Sequence, residues 1–183
     1  RLEMLMKRLL LAGVLVFVAA ALDGTVVRGQ GARAGDPDIL KRTFTPVAYL
    51  KASNARTDAK LGFGSALTGR TLVMSRDGNT IAVGSHFEDS GAKGVNGDQS
   101  DASSEDSGAV YLFNRTGTTW NPTAYVKASN NKPSAEFGIS VALNGDGTML
   151  AAGAPKEDSA AKGVNGKQEG TSAVGAGAAY LYY

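Results

Sequence analysis

The chain has 183 residues, with 19 lysines and arginines against 17 aspartates and glutamates, and it contains no cysteine. Without cysteine, the fold has to be held together by packing, hydrogen bonds or a metal ion rather than by disulfides. Because no basic run is present, the composition gives no electrostatic reason to expect a nucleic acid or an anionic membrane surface as a partner.

The first 34 residues are predicted to be a secretory signal peptide. Two basic residues precede an apolar run, 9–22, which is too short to span a bilayer comfortably. Residues 32–34 fit a small-x-small cleavage site, residues 19–21 offer a competing one, and an uncleaved anchor is the alternative. Cleavage after the first site would leave 14 basic and 15 acidic side chains. We therefore expect a secreted, nearly neutral protein that has no membrane contact once the signal is removed.

Residues 35–43 are predicted to be a flexible arm, and residues 44–183 an all-β domain. The apolar runs of this domain are short, rich in Val, Ile, Tyr and Phe, and separated by clusters of Gly, Asn, Asp and Ser. Asp77-Gly78 and Asp146-Gly147 lie between paired runs, where Asp-Gly supplies the positive φ of a tight hairpin. No segment of ten or more residues has a helical period. Strands are predicted near residues 44–52, 70–75, 79–85, 108–114, 119–128, 139–144, 148–153 and 177–183.

The domain contains two copies of one unit, with the boundary between them near residues 119–130. Ala48–Asn54 recurs as Ala124–Asn130 with a single difference, Leu50 against Val126. Many residues between Asp77 and Leu112 match the residues 69 positions later. Each copy is therefore predicted to form four antiparallel strands in up-and-down order, which is the shape of a propeller blade.

Short motifs within the copies resemble a known repeat. Phe63-Gly64 aligns with Phe137-Gly138 at an offset of 74, which places five extra residues in the first copy, in the segment 65–70. Phe137-Gly138 and Gly153-Ala154-Pro155 match the two motifs of the FG-GAP repeat, the blade unit of integrin α-chain propellers that is also common in secreted bacterial proteins. The first copy departs at the second motif, with Gly84-Ser85-His86. The resemblance implies a blade architecture, export, frequent calcium binding, and binding or scaffolding work rather than catalysis.

Acidic and amide side chains are concentrated in one loop of each copy. Calcium prefers oxygen ligands of this kind, about six to eight per ion. The second copy has Lys167 where the first has Asp98, so its site is expected to be weaker or absent. The spacing matches no dedicated calcium loop, and turn-rich surface loops are the alternative interpretation. The candidate calcium ligands are Glu88, Asp89, Asn96, Asp98 and Asp101 in the first copy and Asp158 and Asn165 in the second.

Residues suited to catalysis are sparse. His86 is the only histidine, and there is no cysteine. Without paired carboxylates at catalytic spacing, the chain offers no set of nucleophile and base. The sequence therefore predicts that the protein is not an enzyme.

The two copies are cut out of phase. Residues 44–54 are a last strand without earlier strands of their own unit, and residues 139–183 are three strands without a fourth. Two blades cannot close a propeller ring, so either the two sheets pack face to face as a sandwich or other chains supply the missing neighbours. Proteins normally cover or pair an open edge. The N-terminal strand is therefore predicted to complete a blade in its own chain or, head to tail, in the next one. The assembly strand comprises Phe44, Val47, Tyr49, Leu50 and Ala52, and the acceptor edge comprises Ala179, Tyr180, Leu181, Tyr182 and Tyr183.

Two functions fit these features. The first is a secreted structural protein that forms extracellular fibrils with itself by head-to-tail strand complementation, stabilised by calcium. The alternative is a calcium-dependent adhesion or ligand-binding module of the propeller type, which acts as a monomer or closed oligomer on a cell-surface or glycan ligand. The expected core comprises Tyr49, Leu50, Val73, Ile81, Val83, Val110, Leu112, Tyr125, Val141, Leu143, Leu150 and Leu181.

Overall fold

The structure, a computed structural model, describes residues 45–64 and 69–183. Within these ranges the chain is all-β, without a helix, and so without a helix that could cross a membrane. The predicted signal peptide, the predicted arm and Phe44 lie outside the described residues. The strands are β1 (Leu72–Met74), β2 (Thr80–Ser85), β3 (Ala109–Thr116), β4 (Thr119–Val126), β5 (Ser140–Leu143), β6 (Leu150–Ala154) and β7 (Ala178–Tyr182).

These strands form two antiparallel sheets. The first sheet has the order β1-β2-β3-β4, and the second sheet has the order β5-β6-β7. Within each sheet, each strand pairs with the next along the chain, as predicted for an up-and-down unit. The register of β3 and β4 shifts once, between Leu112 and Phe113. The shift lies beside Pro122, which has no N–H group for the ladder.

Seven of the eight predicted strands are present, and the exception is the first. Residues 45–52 form no strand and join no ladder among the described residues. A strand requires a neighbour for its N–H and C=O groups. The strand pattern of this segment is therefore unused within the described part of the single chain.

Both predicted Asp-Gly hairpins are confirmed. Gly78, between β1 and β2, has a φ of +72°, and Gly147, between β5 and β6, has a φ of +73°. The side chain of Asp77 accepts the N–H of Asn79 at 3.0 Å, which closes the first turn. Positive φ without a Cβ clash is the reason that glycine occupies this turn position.

The main core lies between the two sheets. It takes apolar side chains from both, so that each sheet buries one face against the other. This burial of apolar area is the principal stabilising term of the fold. The buried members of the core are Ala82, Val110, Val126, Ala128, Phe137, Val141, Leu150, Ala152, Ala154 and Tyr180.

Phe137-Gly138 passes between the sheets at close range. Phe137 is fully buried, and its ring centroid lies 5.4 Å from that of Tyr180. A Cβ on Gly84 would lie 1.9 Å from the carbonyl oxygen of Gly138, and one on Gly108 would lie 2.1 Å from that of Phe137. Glycine at both positions therefore makes this approach of backbone to backbone possible.

A second apolar cluster lies on the opposite face of the first sheet. Ile81 and Val83 belong to it, whereas Ala82 between them belongs to the main core, because side chains alternate along a strand. Leu50 and Leu61 pack against this second cluster from the N-terminal side of the chain.

Two predicted core residues are wrong. Tyr49 is 86% exposed, since no strand lies beside it among the described residues. Leu181 is 69% exposed, since β7 pairs with β6 but no described sheet covers the face of β7 on which Leu181 lies. The other ten predicted core residues are buried or partly buried: Leu50, Val73, Ile81, Val83, Val110, Leu112, Tyr125, Val141, Leu143 and Leu150.

The structure corrects the alignment of the two copies at Phe63-Gly64. The N–H of Gly138 bonds to the carbonyl of Gly153, and the matching bond in the first copy runs from Gly62 to Gly84. Gly62 and Gly138 both have positive φ, +75° and +86°. Leu61-Gly62 is thus the counterpart of Phe137-Gly138, at an offset of 76, and the first copy carries seven extra residues. They fall in the loop before β1, which lies partly outside the described residues.

Candidate functional site

A buried ion pair closes the edge of the first sheet where β4 ends. Lys127 Nζ lies 2.7 Å from Glu88 Oε2, and the two side chains are 0% and 1% exposed. The ammonium group also donates to Ser107 Oγ at 2.7 Å. Buried charges are tolerated only when they are paired and hydrogen-bonded, and this pair meets both conditions.

Tyr125 and Asn54 complete the hydrogen bonding of the Glu88 carboxylate. Tyr125 Oη donates to Oε2 at 2.8 Å, and Asn54 Nδ2 donates to Oε1 at 2.8 Å. Burial raises the pKa of Glu88, but the ion pair with Lys127 and these hydrogen bonds outweigh burial and hold the pKa below its ordinary value of 4.5. Burial also lowers the pKa of Lys127, and Glu88 offsets part of that shift.

A short loop, residues 94–96, holds the outer edge of β4, and we call it the first clamp loop. Asn96 bonds to the main chain of Tyr125 twice: its N–H donates to the carbonyl at 2.7 Å, and its Oδ1 accepts the N–H at 2.9 Å. Val95 and Val126 form an isolated antiparallel bridge beside this contact. Asn96 has a φ of +55°, a conformation that asparagine tolerates better than most residues.

The second sheet repeats the carboxylate half of this site. Glu157, the equivalent of Glu88, is 4% exposed, and its Oε1 accepts a bond from Asn130 Nδ2 at 2.8 Å. Ser159 donates its N–H to Oε1 at 3.1 Å and its hydroxyl to Oε2 at 2.9 Å. Tyr180 donates its hydroxyl to Asn130 Oδ1 at 2.5 Å. Each of these bonds has its counterpart in the first copy.

The second sheet lacks a described strand equivalent to β4, with the tyrosine and the lysine that bond to the carboxylate in the first copy. β7 pairs with β6 on one side, and its other edge has no strand partner among the described residues. Glu157 has no described donor equivalent to Lys127 or Tyr125. The ammonium group of Lys132 lies 3.9 Å from Glu157 Oε1, beyond hydrogen-bond distance.

Residues 163–165, the second clamp loop, repeat the first clamp loop in conformation. Gly163 has a φ of +69° against +68° for Gly94, and Asn165 and Asn96 both have a φ of +55°. Val164 is 91% exposed, whereas Val95 is 53% exposed. The second clamp loop therefore already has the backbone conformation that holds a strand in the first copy.

The predicted acceptor edge coincides with β7 and the residue after it, and it presents two faces. Tyr180 and Tyr182 point toward the main core, and Tyr182 Oη donates to the carbonyl of Lys127 at 2.9 Å. Ala179 and Leu181 are exposed, whereas their equivalents in the first sheet, Val110 and Leu112, lie in or against the main core between the sheets. Tyr183 is fully exposed. Thus two of the five predicted residues already pack within the subunit.

One face of the predicted assembly strand packs within the subunit, and the other face is exposed. Residues 46–48, Val47 among them, are all exposed. Along residues 49–54, Leu50, Ala52 and Asn54 are partly buried, whereas Tyr49, Lys51 and Ser53 are exposed. This alternation is that of a strand with one face on a sheet and the other face open. Tyr49 is 86% exposed, but its equivalent Tyr125 is 2% exposed. The side chains that would enter a second sheet are therefore free to do so.

The predicted calcium ligands serve mainly as acceptors that close loops. Within the described ranges, no three carboxylate or histidine side chains gather closely enough to hold a metal ion. Asp98 accepts the N–H of Ser100 at 2.9 Å, and Asp101 accepts that of Gly91 at 2.8 Å. Asp89 and Asp158 close the equivalent loop in each copy. Asn165 lies in the second clamp loop. Glu88 bonds to Lys127, directly after β4, and Asn96 bonds to Tyr125 in β4. Calcium binding stays a prediction.

His86 belongs to an aromatic cluster. Its ring centroid lies 4.1 Å from that of Phe87 and 5.8 Å from that of Phe63. It is 3% exposed, and burial lowers its pKa, so the ring is uncharged near neutral pH. These contacts give His86 a packing role.

The sequence-based predictions missed the ion pair. Lys127, Glu157 and Tyr125 were not among the candidate site residues, although a signal was present. Both copies contain Ala-Tyr-x-Lys-Ala-Ser-Asn, in which Tyr and Lys are two residues apart and so share one face of a strand. A lysine inside a repeated apolar strand needs a buried acid as its partner.

The chain matches no protein-family model, no curated protein and no solved structure. The internal repeat is therefore the basis for comparison, with each copy serving as the reference for the other. By that comparison, the open edge of β7, Glu157 and the second clamp loop form one candidate site for an added strand.

Proposed function

We propose that the protein is a secreted structural subunit that assembles head to tail, with residues 46–54 of one copy completing the second sheet of the next. Each repeat would then be a propeller-type blade, similar to the FG-GAP unit. The first has its fourth strand, β4, in the same chain, and the second would receive its fourth strand from a neighbouring copy. One observation carries the proposal. β4, whose last three residues open the second Ala-Tyr-x-Lys-Ala-Ser-Asn sequence, pairs with the edge of β3 that corresponds to the open edge of β7.

The pairing of β3 with β4 gives the register of the proposed joint. Tyr111 pairs with Tyr125 in the first sheet. Tyr180 is the equivalent of Tyr111, and Tyr49 is the equivalent of Tyr125, so Tyr180 would pair with Tyr49. An added strand would satisfy the open N–H and C=O groups of β7 and shield Leu181.

The position of residues 46–54 favours pairing of this segment with β7 of a second copy over pairing with β7 of the same chain. Leu50 and Ala52 pack on the second apolar cluster, on the face of the first sheet that points away from the second sheet. The first sheet therefore stands between this segment and β7. Pairing of residues 46–54 with β7 of the same chain would break these contacts, whereas donation of the segment to another copy leaves them in place.

The joint would use two different surfaces, a segment of one copy and an edge of another. Such a heterologous contact leaves a free segment and a free edge at the two ends of each oligomer, so growth continues unless rotation closes a ring. The signal peptide and the calcium site predicted from the sequence belong to the same proposal. They place assembly outside the cell and assign calcium the role of stiffening the acidic loop of the first copy.

The test compares the chain without its predicted signal peptide with a chain that begins at Ala55. We expect filaments by negative-stain microscopy from the first and none from the second, and a peptide of residues 42–54 should bind the shortened chain. Tyr49→Asp tests the same joint without truncation and should also prevent filaments. Because Tyr49 is exposed in the subunit, its replacement removes no buried contact there. If the shortened chain still forms the same filaments, strand donation is wrong. A discrete monomer or small ring from the longer chain would favour the ligand-binding alternative.

A further inference from the structure

We infer that the joint between copies contains a buried ion pair, formed by Lys51 of one copy and Glu157 of the next. The inference rests on the proposed function, because Lys51 approaches Glu157 only if residues 46–54 enter the second sheet. Lys51 is the equivalent of Lys127, and Glu157 is the equivalent of Glu88. In the first sheet, the corresponding atoms lie 2.7 Å apart.

The two partners have complementary environments in the subunit. Glu157 is 4% exposed, whereas Lys51 is exposed. A carboxylate buried to this extent is costly without a close counter-ion. Oε2 of Glu157 accepts one described bond, from Ser159, where Oε2 of Glu88 accepts bonds from a serine, a tyrosine and a lysine. Glu157 is therefore left with acceptor capacity that its equivalent uses.

Tyr49 would supply the second missing donor. Its equivalent, Tyr125, donates to the buried carboxylate at 2.8 Å and has its ring centroid 5.3 Å from that of Tyr111. In the joint, Tyr49 would donate to Glu157 and pack against Tyr180. An aromatic pair at this distance adds to the stability gained from burial alone.

One difference between the copies makes Glu157 more important than Glu88. Ala176 stands where Ser107 accepts a bond from Lys127 in the first copy. Lys51 would therefore have Glu157 as its acceptor without a serine hydroxyl beside it. We expect the joint to depend strongly on this single carboxylate.

The ion pair would set the register of the donated strand. A slip by one residue turns every side chain of a strand to the other face, which would leave Lys51 on the wrong face and Glu157 without a partner. Buried ion pairs contribute little net stability, but an unpaired buried charge is strongly unfavourable. The pair therefore selects the correct pairing against slipped ones.

Charge exchange between two variants tests the inference. Lys51→Glu alone places two carboxylates at every joint, and Glu157→Lys alone places two ammonium groups there, so each variant should require about 30-fold or more protein to assemble. Mixed in equal amounts, they should assemble together. At alternate joints, the new glutamate of one variant meets the new lysine of the other, and the unchanged Lys51 meets the unchanged Glu157.

Two further variants separate charge at the joint from other effects. Lys167→Glu alters the net charge as much as Lys51→Glu, at an exposed lysine, and should leave assembly unchanged. If Glu157→Lys lowers the melting temperature of the subunit, Lys51→Glu combined with Glu157→Gln takes its place. This double variant removes the repulsion and should regain part of the assembly lost by Lys51→Glu.

The outcomes distinguish this inference from the proposal on which it rests. One outcome would overturn the ion pair and leave strand donation intact. In it, Lys51→Glu assembles at the same concentration as the unchanged chain, whereas the chain that begins at Ala55 does not assemble. Failure of the unchanged chain to assemble would overturn both. Assembly of the mixed variants where each alone fails would support both.

Discussion

Glu88 and Glu157 hold equivalent places in the two sheets, yet Glu88 lies 2.7 Å from the ammonium of Lys127 and Glu157 lies 3.9 Å from that of Lys132. The first carboxylate is satisfied within the subunit, and the second is not satisfied to the same degree by any described residue. Since both belong to one repeated pattern, this difference marks the place at which the proposed joint would supply the missing donors.

Replacement of Lys127 tests the role of the buried ion pair in folding. Lys127→Met leaves Glu88 buried without its counter-ion, and we expect a loss of about 3–5 kcal/mol in the free energy of unfolding. Denaturant unfolding measures it. The double variant Lys127→Met with Glu88→Gln should recover much of that loss, and Lys167→Met, at an exposed position, should change little. A loss below about 1 kcal/mol for the single variant would show that the pair is not buried in solution.

The stability of the subunit should fall in acid. The pKa of Glu88 lies below its ordinary value of 4.5 in the folded state, because the ion pair with Lys127 and its hydrogen bonds outweigh the effect of burial. A lowered pKa contributes stability above pH 4.5, and this contribution is lost as the pH falls through the folded pKa. Glu88→Gln should therefore flatten the dependence of the melting temperature on pH below 4.5. An unchanged slope would assign acid sensitivity to other carboxylates.

Gly84 should tolerate no side chain. A Cβ there would lie 1.9 Å from the carbonyl oxygen of Gly138. Gly84 is held in β2, and the N–H of Gly138 bonds to Gly153 in β6. We expect Gly84→Ala to lower the free energy of unfolding by about 1–3 kcal/mol or more. Gly145→Ala is the matched control, since its Cβ would have its nearest neighbour at 3.9 Å. Equal effects of the two variants would contradict the close approach of the sheets.

Local signals in the sequence were sufficient for most of the fold. Asp77-Gly78 and the short runs beside it predicted β1 and β2 because turn chemistry and alternation act within a few residues. The 69-residue offset likewise predicted that the second sheet repeats the first. By contrast, Phe63-Gly64 was aligned wrongly, because the letters Phe-Gly match whereas the backbone position is set by a positive φ at Gly62.

The candidate site depended on contacts that no local pattern reveals. Glu88 and Lys127 are 39 residues apart, and only the folded sheet brings them together. The sequence therefore predicts Glu88 as a calcium ligand, because acidic residues close together suggest a bound cation without identifying which cation it is. The wrong core prediction for Tyr49 has the same origin: its local pattern is that of a buried strand, but no described strand lies beside it.

Calcium binding to the first acidic loop is open to a direct test. If Asp89 and Asp98 bind the ion, calcium should raise the melting temperature relative to a chelator, because binding to the folded state alone stabilises it. Asp89→Ala with Asp98→Ala should abolish the increase. Asp158→Ala, at the equivalent of Asp89 in the second copy, is the control and should retain it. No increase in the unchanged protein would end the hypothesis.

The two clamp loops allow one substitution to be compared in an occupied and an open site. Asn96→Gly removes the side-chain bond to the N–H of Tyr125, which is 2.9 Å long, while glycine keeps the positive φ without strain. We expect it to lower the free energy of unfolding of the subunit by about 1 kcal/mol more than Asn165→Gly does, because Asn165 holds no strand within the described subunit. Both variants gain the same backbone freedom in the unfolded state. The difference between their free energies of unfolding therefore measures the hydrogen bond from the N–H of Tyr125 to Asn96.

Assembly should respond in the opposite order. At concentrations where the unchanged chain is monomeric, Asn165→Gly should leave the melting temperature close to that of the unchanged chain. It should nevertheless raise the concentration needed for assembly about fivefold or more, since the second clamp loop would then bind Tyr49 of the preceding copy with one hydrogen bond fewer. Asn96→Gly, compared below its own melting temperature, should assemble almost normally. Equal destabilisation of the monomer by both variants would mean that the second clamp loop already holds a strand of its own chain, and head-to-tail donation would then be wrong.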